Sequence, residues 1–238
     1  MKLFLPKQHG AWAMLIVPFG LGIVSGGMDW LQIPLGVAWI ALYLSTYPLL
    51  LAVKKKKIKF HLKWSAIYFI IALIFITPVM LKEPVIIIVG LLMTPFFFLN
   101  LYFSRKKKDR LFLNDLSAII AFSLSGLATY YLGTNQWNAT AWVVASVCIL
   151  FFVGSTFFIK TLIREKKNPA YRWISWTYHS ILCLALIIIG NGLMALAFIP
   201  SLIRSIYFPG KTLKPMNMGI IEIVNSAIFF IVMSIYFY

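Results

Sequence analysis

The polar residues most able to do chemistry in this sequence lie inside long apolar stretches. Glu222 falls within the stretch 217–237, and Asn225 and Ser226 follow it at i+3 and i+4, on the same face of a helix. An ionisable group within a membrane span is costly unless it is paired or faces a wet cavity. Glu222 is therefore predicted to be catalytic, moving a proton, and Asn225 to contact the substrate.

His179 occupies a similar position in the stretch 173–189, with Ser175 and Cys183 one turn away on either side. Imidazole is the usual side chain for proton transfer near neutral pH. His179 is therefore a second catalytic candidate, and the alternative is a structural hydrogen bond between helices.

Several basic residues lie near the ends of spans that are predicted to face the cytoplasm. Thr156, Lys160 and Arg164 are spaced four residues apart, and Arg204 stands near the end of the stretch 191–207. Lys160, Arg164 and Arg204 are predicted to bind an anionic head group from the cytoplasm. The alternative is that they extend to lipid phosphates at the membrane surface.

Three further candidates stand at the start of spans. His9 precedes the first stretch, and Asn114 and Asp115 begin the stretch 115–132. Asp115 is a third catalytic candidate, or else it caps its helix or pairs with an arginine. His9 and Asn114 are candidate substrate-binding residues.

No metal site or redox chemistry is predicted, and any cofactor is unknown. The histidines at 9, 61 and 179 lie on different segments. Cys148 and Cys183 both fall inside apolar stretches, so there is no disulfide framework.

The segments that carry these residues are predicted to be transmembrane helices. The chain is 61% hydrophobic and 12% charged, whereas a soluble domain is about half apolar and a quarter charged. Runs of about 18 or more apolar residues are long enough to span a bilayer. The predicted spans of this all-α polytopic bundle are 10–26, 31–53, 64–81, 84–103, 115–132, 137–159, 173–189, 191–207 and 217–237.

The basic residues predict the orientation of the nine spans, because short loops rich in Lys and Arg stay in the cytoplasm. Of the 22 Lys and Arg residues, 20 lie before span 1 or after spans 2, 4, 6 and 8, and Arg204 stands near the end of span 8 on the same side. The exception is Lys82. The N-terminus is thus expected inside and the C-terminus outside. Nine spans place every basic cluster on one side, so the Gly190-Asn191-Gly192 turn should separate two helices.

A net charge of +16 would favour nucleic acid in a soluble protein, but here the charges flank apolar spans. We therefore expect membrane lipids, with a phosphorylated lipid or small anion, as partners and no nucleic acid. Because no loop is long enough for a soluble domain, residues 1–238 are predicted to form a single transmembrane domain.

The segment Pro6 to Ala13, with the letters PKQHGAWA, resembles the opening motif of the YwiC-like family of bacterial membrane proteins. Asn114-Asp115-Leu116 and the segment Lys160 to Glu165 also resemble that family. The resemblance implies a multi-pass protein of the bacterial cytoplasmic (inner) membrane and specifies no activity.

The order of spans and loops is also similar to that of UbiA-type intramembrane prenyltransferases. That resemblance implies carboxylates after spans 2 and 6 that bind magnesium and, through it, a prenyl diphosphate. This chain departs from the pattern, since the loop after span 2 has no acid and the loop after span 6 has only Glu165. A phosphate would instead be bound directly by the basic residues.

Two functional hypotheses follow. In the first, the protein is a transferase or binding protein for a lipid or isoprenoid phosphate, with a basic and polar pocket open to the cytoplasm. In the second, the same residues serve a transporter of a small anion or proton-coupled solute. The outer halves of the spans contain almost no ionisable group, which favours the first.

Overall fold

The structure, a computed structural model, describes Phe4, Pro6, residues 9–55 and residues 57–238, without the side chain of His9. The described residues form α-helices and no strands. Their bounds are α1 His9–Gly26, α2 Gln32–Val53, α3 Ile58–Lys82, α4 Ile87–Arg105, α5 Phe112–Ser123, α6 Ser125–Thr134, α7 Ala139–Leu162, α8 Pro169–Ile188, α9 Gly192–Tyr207 and α10 Pro215–Phe237. A short 3-10 turn, Pro84–Ile86, leads into α4.

The predicted all-α polytopic fold is confirmed, and each predicted span has a helical counterpart. Six segments of the described chain are long and apolar enough to cross a membrane: α2, α3, the turn with α4, α5 with α6, α7 and α10. Helices suit apolar sequence in lipid because every backbone hydrogen bond closes within the segment. The remaining helices, α1, α8 and α9, are shorter or less apolar. The orientation of the helices in a membrane stays a prediction.

The Gly190 turn separates two helices as predicted. Helix α8 ends at Ile188 and α9 begins at Gly192, and Gly190 has a φ of +82°. Glycine adopts this left-handed conformation without steric cost, which explains its place at the turn.

The described chain divides into two compact units. Unit 1 contains Pro18–Ala145, and unit 2 contains His9–Val17 and Ser146–Tyr238. Helices α1 and α7 therefore each contribute to both units. The single domain expected over 1–238 stays a prediction.

Unit 1 contains an interface at which the backbones of α1 and α6 touch. A Cβ atom at Gly26 would lie 2.7 Å from the Tyr130 carbonyl oxygen, and one at Gly126 would lie 2.9 Å from that of Pro18. Gly22 and Gly133 face equally close neighbours. Small residues allow helices to approach this closely. We call these four residues the glycine interface.

Unit 2 is built from α8, α9, α10 and parts of α1 and α7, with aromatic residues at its centre. The rings of Phe151 and Phe229 stack with centroids 4.0 Å apart, and Phe198 packs edge-on against Phe229 at 5.4 Å. All three side chains are fully buried. They form an aromatic core of unit 2.

Candidate functional site

The central feature of unit 2 is a buried ion pair between Arg204 of α9 and Glu222 of α10. Helix α10 begins at Pro215, so Glu222 lies about 10 Å along it at a rise of roughly 1.5 Å per residue. The exposed fractions of the two side chains are only 4% and 12%. The acid predicted to need a partner inside its span thus has one, and that partner is another predicted site residue.

Residues of α7 also contact the guanidinium of Arg204. Arg204 Nη2 donates a hydrogen bond to Ser155 Oγ at 2.8 Å. The Arg204 Cζ atom also lies 4.5 Å from the centroid of the Phe158 ring, a cation–π distance. Arg204 is thereby held between α7 and α10, with its side chain buried.

A second buried polar contact lies one turn along α10. Asn225 Nδ2 donates to Ser201 Oγ of α9 at 2.9 Å. Ser201 and Arg204 are three residues apart and so lie on one face of α9. Glu222 and Asn225 are likewise three apart on α10, so the same two helix faces make both contacts. The predicted substrate-binding residue Asn225 therefore lies beside the ion pair.

His179 of α8 is 2% exposed, and its Nδ1 lies 2.7 Å from the Ser175 carbonyl oxygen. Its Nε2 has no hydrogen-bond partner among the described residues. A Cβ atom at Gly154 would lie 2.9 Å from Nε2. His179 and Arg204 thus contact consecutive residues of α7, Gly154 and Ser155.

The two other basic candidates of unit 2 differ in exposure. Lys160 is buried in the last turn of α7, whereas Arg164 is exposed beyond the end of that helix at Leu162. The predicted stripe through Thr156, Lys160 and Arg164 is therefore not a continuous helical face.

Asn114 and Asp115 belong to unit 1, in the first turn of α5. Because α5 begins at Phe112, three residues before the predicted edge, Asp115 does not cap the helix. Asn114 Nδ2 donates to the Asp109 carbonyl oxygen at 3.1 Å. The side chain of the predicted binding residue His9 lies outside the described residues.

An open apolar groove of about 460 Å³ runs between α1 and α10 within unit 2. Ser226, one turn beyond Glu222, belongs to its wall, so the groove adjoins the polar residues of α10. The lining residues are Trp12, Ala13, Ile16, Val17, Ile223, Ser226, Ala227 and Phe230.

Among the described residues, no group of three or more His, Cys, Asp or Glu side chains could hold a metal ion. We call Ser155, Ser201, Arg204, Glu222 and Asn225, together with His179, the polar cluster.

Sequence reasoning missed Ser155, Ser201 and Gly154. A signal was present for Ser201, because Ser201, Arg204 and Ser205 follow the i, i+3, i+4 spacing of one helical face. Nothing in the spacing along α7 distinguishes Ser155 from the neighbouring Thr156.

These features define a multi-span helical protein with a buried ion pair in its second unit. A sequence model described as YwiC-like protein matches residues 5–130. The chain is 41% identical over 236 residues to the uncharacterized protein YwiC of Bacillus subtilis (strain 168), covering 99% of each chain. It is 38% identical over 235 residues to an uncharacterized protein of Haemophilus influenzae, again covering 99% of each.

The chain therefore belongs to the YwiC-like family, as the sequence motifs predicted. The family model ends within unit 1, whereas the two relatives extend over unit 2 and the polar cluster. No solved structure matches the fold.

Proposed function

We propose that this chain is a multi-pass protein of the bacterial cytoplasmic membrane that binds a phosphorylated lipid or isoprenoid in unit 2, as a UbiA-like transferase or carrier of that molecule. The observation that carries the proposal is the buried Arg204, ion-paired to Glu222 and hydrogen-bonded to Ser155. A permanently charged side chain is costly to place in this position, and such groups usually mark a ligand or ion site.

The phosphate would replace Glu222 as the partner of Arg204. Guanidinium and phosphate form short, charge-assisted and often bidentate hydrogen bonds. Lys160, at the end of α7, and the exposed Arg164 would attract the anion from the cytoplasm. Asn225 would contact the same head group, with Asn114 and His9 as further binding candidates.

The groove between α1 and α10 would hold the hydrocarbon chain. Ile223, beside Glu222, and Ile16 are each more than half exposed, so the groove is accessible from the side of the helices. A volume of about 460 Å³ falls in the usual range for small-molecule sites. A ligand with its head group at Arg204 and its hydrocarbon chain in this groove would be an amphiphile.

In a transfer reaction, the acceptor molecule would form the new bond to the transferred group and lose a proton to Glu222, released from Arg204, or to His179. The phosphate would leave as the bond to it breaks and stay paired with Arg204. Asp115, in unit 1, is retained as a third catalytic candidate. Membrane lipids are the proposed surroundings, and the basic loops serve the membrane surface and not nucleic acid.

The test is co-purification in a mild non-ionic detergent, followed by native mass spectrometry and lipid extraction. Wild type should retain a phosphorylated amphiphile. The charge-neutral variant Arg204→Gln/Glu222→Gln should lose it, since charge-assisted hydrogen bonds contribute about 1.5–3 kcal/mol each. Lys160→Ala/Arg164→Ala should lose it in part.

The matched control is Arg105→Gln, which removes an exposed arginine at the end of α4 and should leave the bound molecule unchanged. Identical bulk lipids in wild type and the charge-neutral variant would contradict the proposal. Uptake of inorganic phosphate into proteoliposomes, abolished in that variant, would instead establish the rival transport function.

A further inference from the structure

Two basic loops of unit 1, which join α2 to α3 and α4 to α5, meet at one end of these helices. Lys54 Nζ lies 2.8 Å from Asp109 Oδ2, and Ser104 Oγ donates a hydrogen bond to the Leu50 carbonyl oxygen at 3.3 Å. These contacts bring the basic residues of both loops together. We call them the basic patch, and its described members are Lys54, Lys55, Lys57, Lys59, Lys63, Arg105, Lys106, Lys107, Lys108 and Arg110.

The basic patch has a high density of positive charge. Residues 54–63 contain six lysines, residues 105–110 contain five Lys or Arg, and Asp109 is the only acid in either segment. The described basic side chains are exposed except that of Lys54, which is partly buried beside Asp109. Neighbouring like charges repel unless anions lie between them. The patch therefore suits a partner with negative groups at its surface.

Two lysines of the patch occupy positions that favour glycine. Lys55 and Lys107 have φ angles of +59° and +56°, and each N–H donates to a carbonyl oxygen three residues earlier, at 2.9 Å and 3.0 Å. Glycine is the usual residue at such a helix end, because a Cβ atom is strained in the left-handed conformation.

The helix ends do not require these two charges. The preceding residues, Lys54 and Lys106, already place a cation at the negative ends of α2 and α4. The side chains of Lys55 and Lys107 are therefore kept, against the preference of the turn, for contacts outside it.

Exposed apolar side chains adjoin these lysines. Ile58 in the first turn of α3 is 46% exposed, and Leu111 and Leu113 at the start of α5 are 44% and 60% exposed. Cations beside exposed apolar side chains suit the depth at which lipid head groups meet acyl chains. A soluble polyanion would leave these apolar side chains in water. The combination favours a lipid.

We propose that the basic patch binds the head groups of anionic phospholipids of the cytoplasmic leaflet, with Lys55 and Lys107 as the residues that select for negative charge. The inference goes beyond the proposed function, because it concerns unit 1 and a lipid that is bound at the membrane surface without being transferred. Lysines near such a surface attract anionic lipids.

The experiment titrates delipidated protein in a non-ionic detergent with phosphatidylglycerol or with phosphatidylcholine of equal chain length. Native mass spectrometry from about 0.15 M ammonium acetate counts the bound lipids, at a salt concentration that screens charges more than about 8 Å apart. Wild type should bind phosphatidylglycerol saturably and at least about tenfold more tightly than phosphatidylcholine.

The decisive variant is Lys55→Gly/Lys107→Gly, which removes two charges and also relieves the strain at both helix ends. Its affinity for phosphatidylglycerol should fall at least about tenfold, while its unfolding temperature stays at or above that of wild type. Lys55→Asn/Lys107→Asn, a second substitution that tolerates the left-handed conformation, should show the same loss of affinity.

The matched control is Lys166→Gly/Lys167→Gly, in the loop between α7 and α8. It removes the same charge from residues without a positive φ. Its affinity for phosphatidylglycerol should stay within about twofold of that of wild type, because those charges are screened from the patch. Its unfolding temperature should not rise.

Three results would overturn this inference. The first is equal binding of both lipids by wild type, and the second is an unchanged phosphatidylglycerol affinity in Lys55→Gly/Lys107→Gly. The third is displacement of the lipid by an equal concentration of glycerol 1-phosphate, which would identify a soluble anion as the ligand.

The two sites are separated by comparison with Arg204→Gln/Glu222→Gln. That variant should keep its affinity for phosphatidylglycerol, and Lys55→Gly/Lys107→Gly should keep any affinity of the polar cluster for a long-chain alkyl phosphate. Loss of phosphatidylglycerol from Arg204→Gln/Glu222→Gln alone would assign that lipid to the polar cluster and overturn the inference for unit 1 while supporting the proposed function.

Discussion

The two units bring their helices together in different ways. In unit 1, α1 and α6 meet at the glycine interface, where the backbones touch and no ionisable side chain takes part. In unit 2, α7, α9 and α10 meet around the buried Arg204 and Glu222. Small residues give close packing with little electrostatic cost, whereas buried charges require exact partners.

This contrast indicates where function lies. The glycine interface is explained fully by packing, since its residues have no group that could bind or react. The polar cluster has charges, an unpartnered acceptor and an adjoining groove, which packing does not require. We therefore expect changes at the glycine interface to affect stability alone and changes in the polar cluster to affect stability and ligand binding together.

The largest effect is expected for Glu222→Gln, which leaves the buried Arg204 without its counter-ion. Removing one partner of a buried ion pair typically costs about 3–5 kcal/mol. Thermal unfolding in detergent should show that loss, and Arg204→Gln/Glu222→Gln should recover most of it. A double variant as unstable as the sum of its single variants would mean that the two side chains do not act as a pair.

The glycine interface should give the next largest effect. Gly26→Ala places a methyl group 2.7 Å from the Tyr130 carbonyl oxygen, and overpacking of this kind costs about 1–3 kcal/mol. Unfolding temperature is the measurement, with Gly90→Ala as the control, since nothing lies within 4 Å of a Cβ atom there. Ligand binding by the folded Gly26→Ala protein should be unchanged. A loss of binding by protein that is still folded would contradict the expectation that the glycine interface affects stability alone.

A smaller effect is expected for Asn225→Ala, which removes the hydrogen bond to Ser201. Hydrogen bonds between membrane helices contribute on average about 0.6 kcal/mol, so stability should fall slightly. Because Asn225 is a proposed head-group contact, affinity for an alkyl phosphate should fall further than stability. Equal affinity in Asn225→Ala and wild type would remove Asn225 from the binding site.

The smallest effect is expected for Lys54→Met in unit 1. Lys54 Nζ and Asp109 Oδ2 lie 2.8 Å apart, and both side chains are partly exposed. Ion pairs of this kind contribute about 0–1 kcal/mol and are screened by salt. Unfolding at low and high ionic strength should differ little between Lys54→Met and wild type. A loss as large as that of Glu222→Gln would contradict the contrast between the units.

The sequence predicted the helices well because each depends on a local run of apolar residues. It also predicted that Glu222 needs a partner, because the cost of a charge in an apolar helix does not depend on the fold. It could not identify Arg204 as that partner. Their meeting depends on how α9 packs against α10, and 17 residues separate their positions along the chain without any fixed spacing rule.

The positions of Asp115 and Arg164 show the same limit. Asp115 was predicted to begin its span, and Arg164 to follow Lys160 at one turn's spacing at the end of the next helix. Helix α5 instead begins three residues before Asp115, at Phe112, and α7 ends at Leu162, before Arg164. Helix ends depend on turn geometry and local hydrogen bonds, which apolar periodicity does not report. Gly154 was overlooked because a glycine within a helix carries no chemical signal until its neighbours are known.

The most direct test of the central claim is the affinity of a long-chain alkyl phosphate for wild type and for Arg204→Gln/Glu222→Gln, both in phosphatidylcholine nanodiscs. The account predicts saturable binding to wild type and at least about tenfold weaker binding to the variant, since about 1.4 kcal/mol corresponds to tenfold. Equal affinity in the two proteins would contradict the claim that the buried ion pair is an anion-binding site.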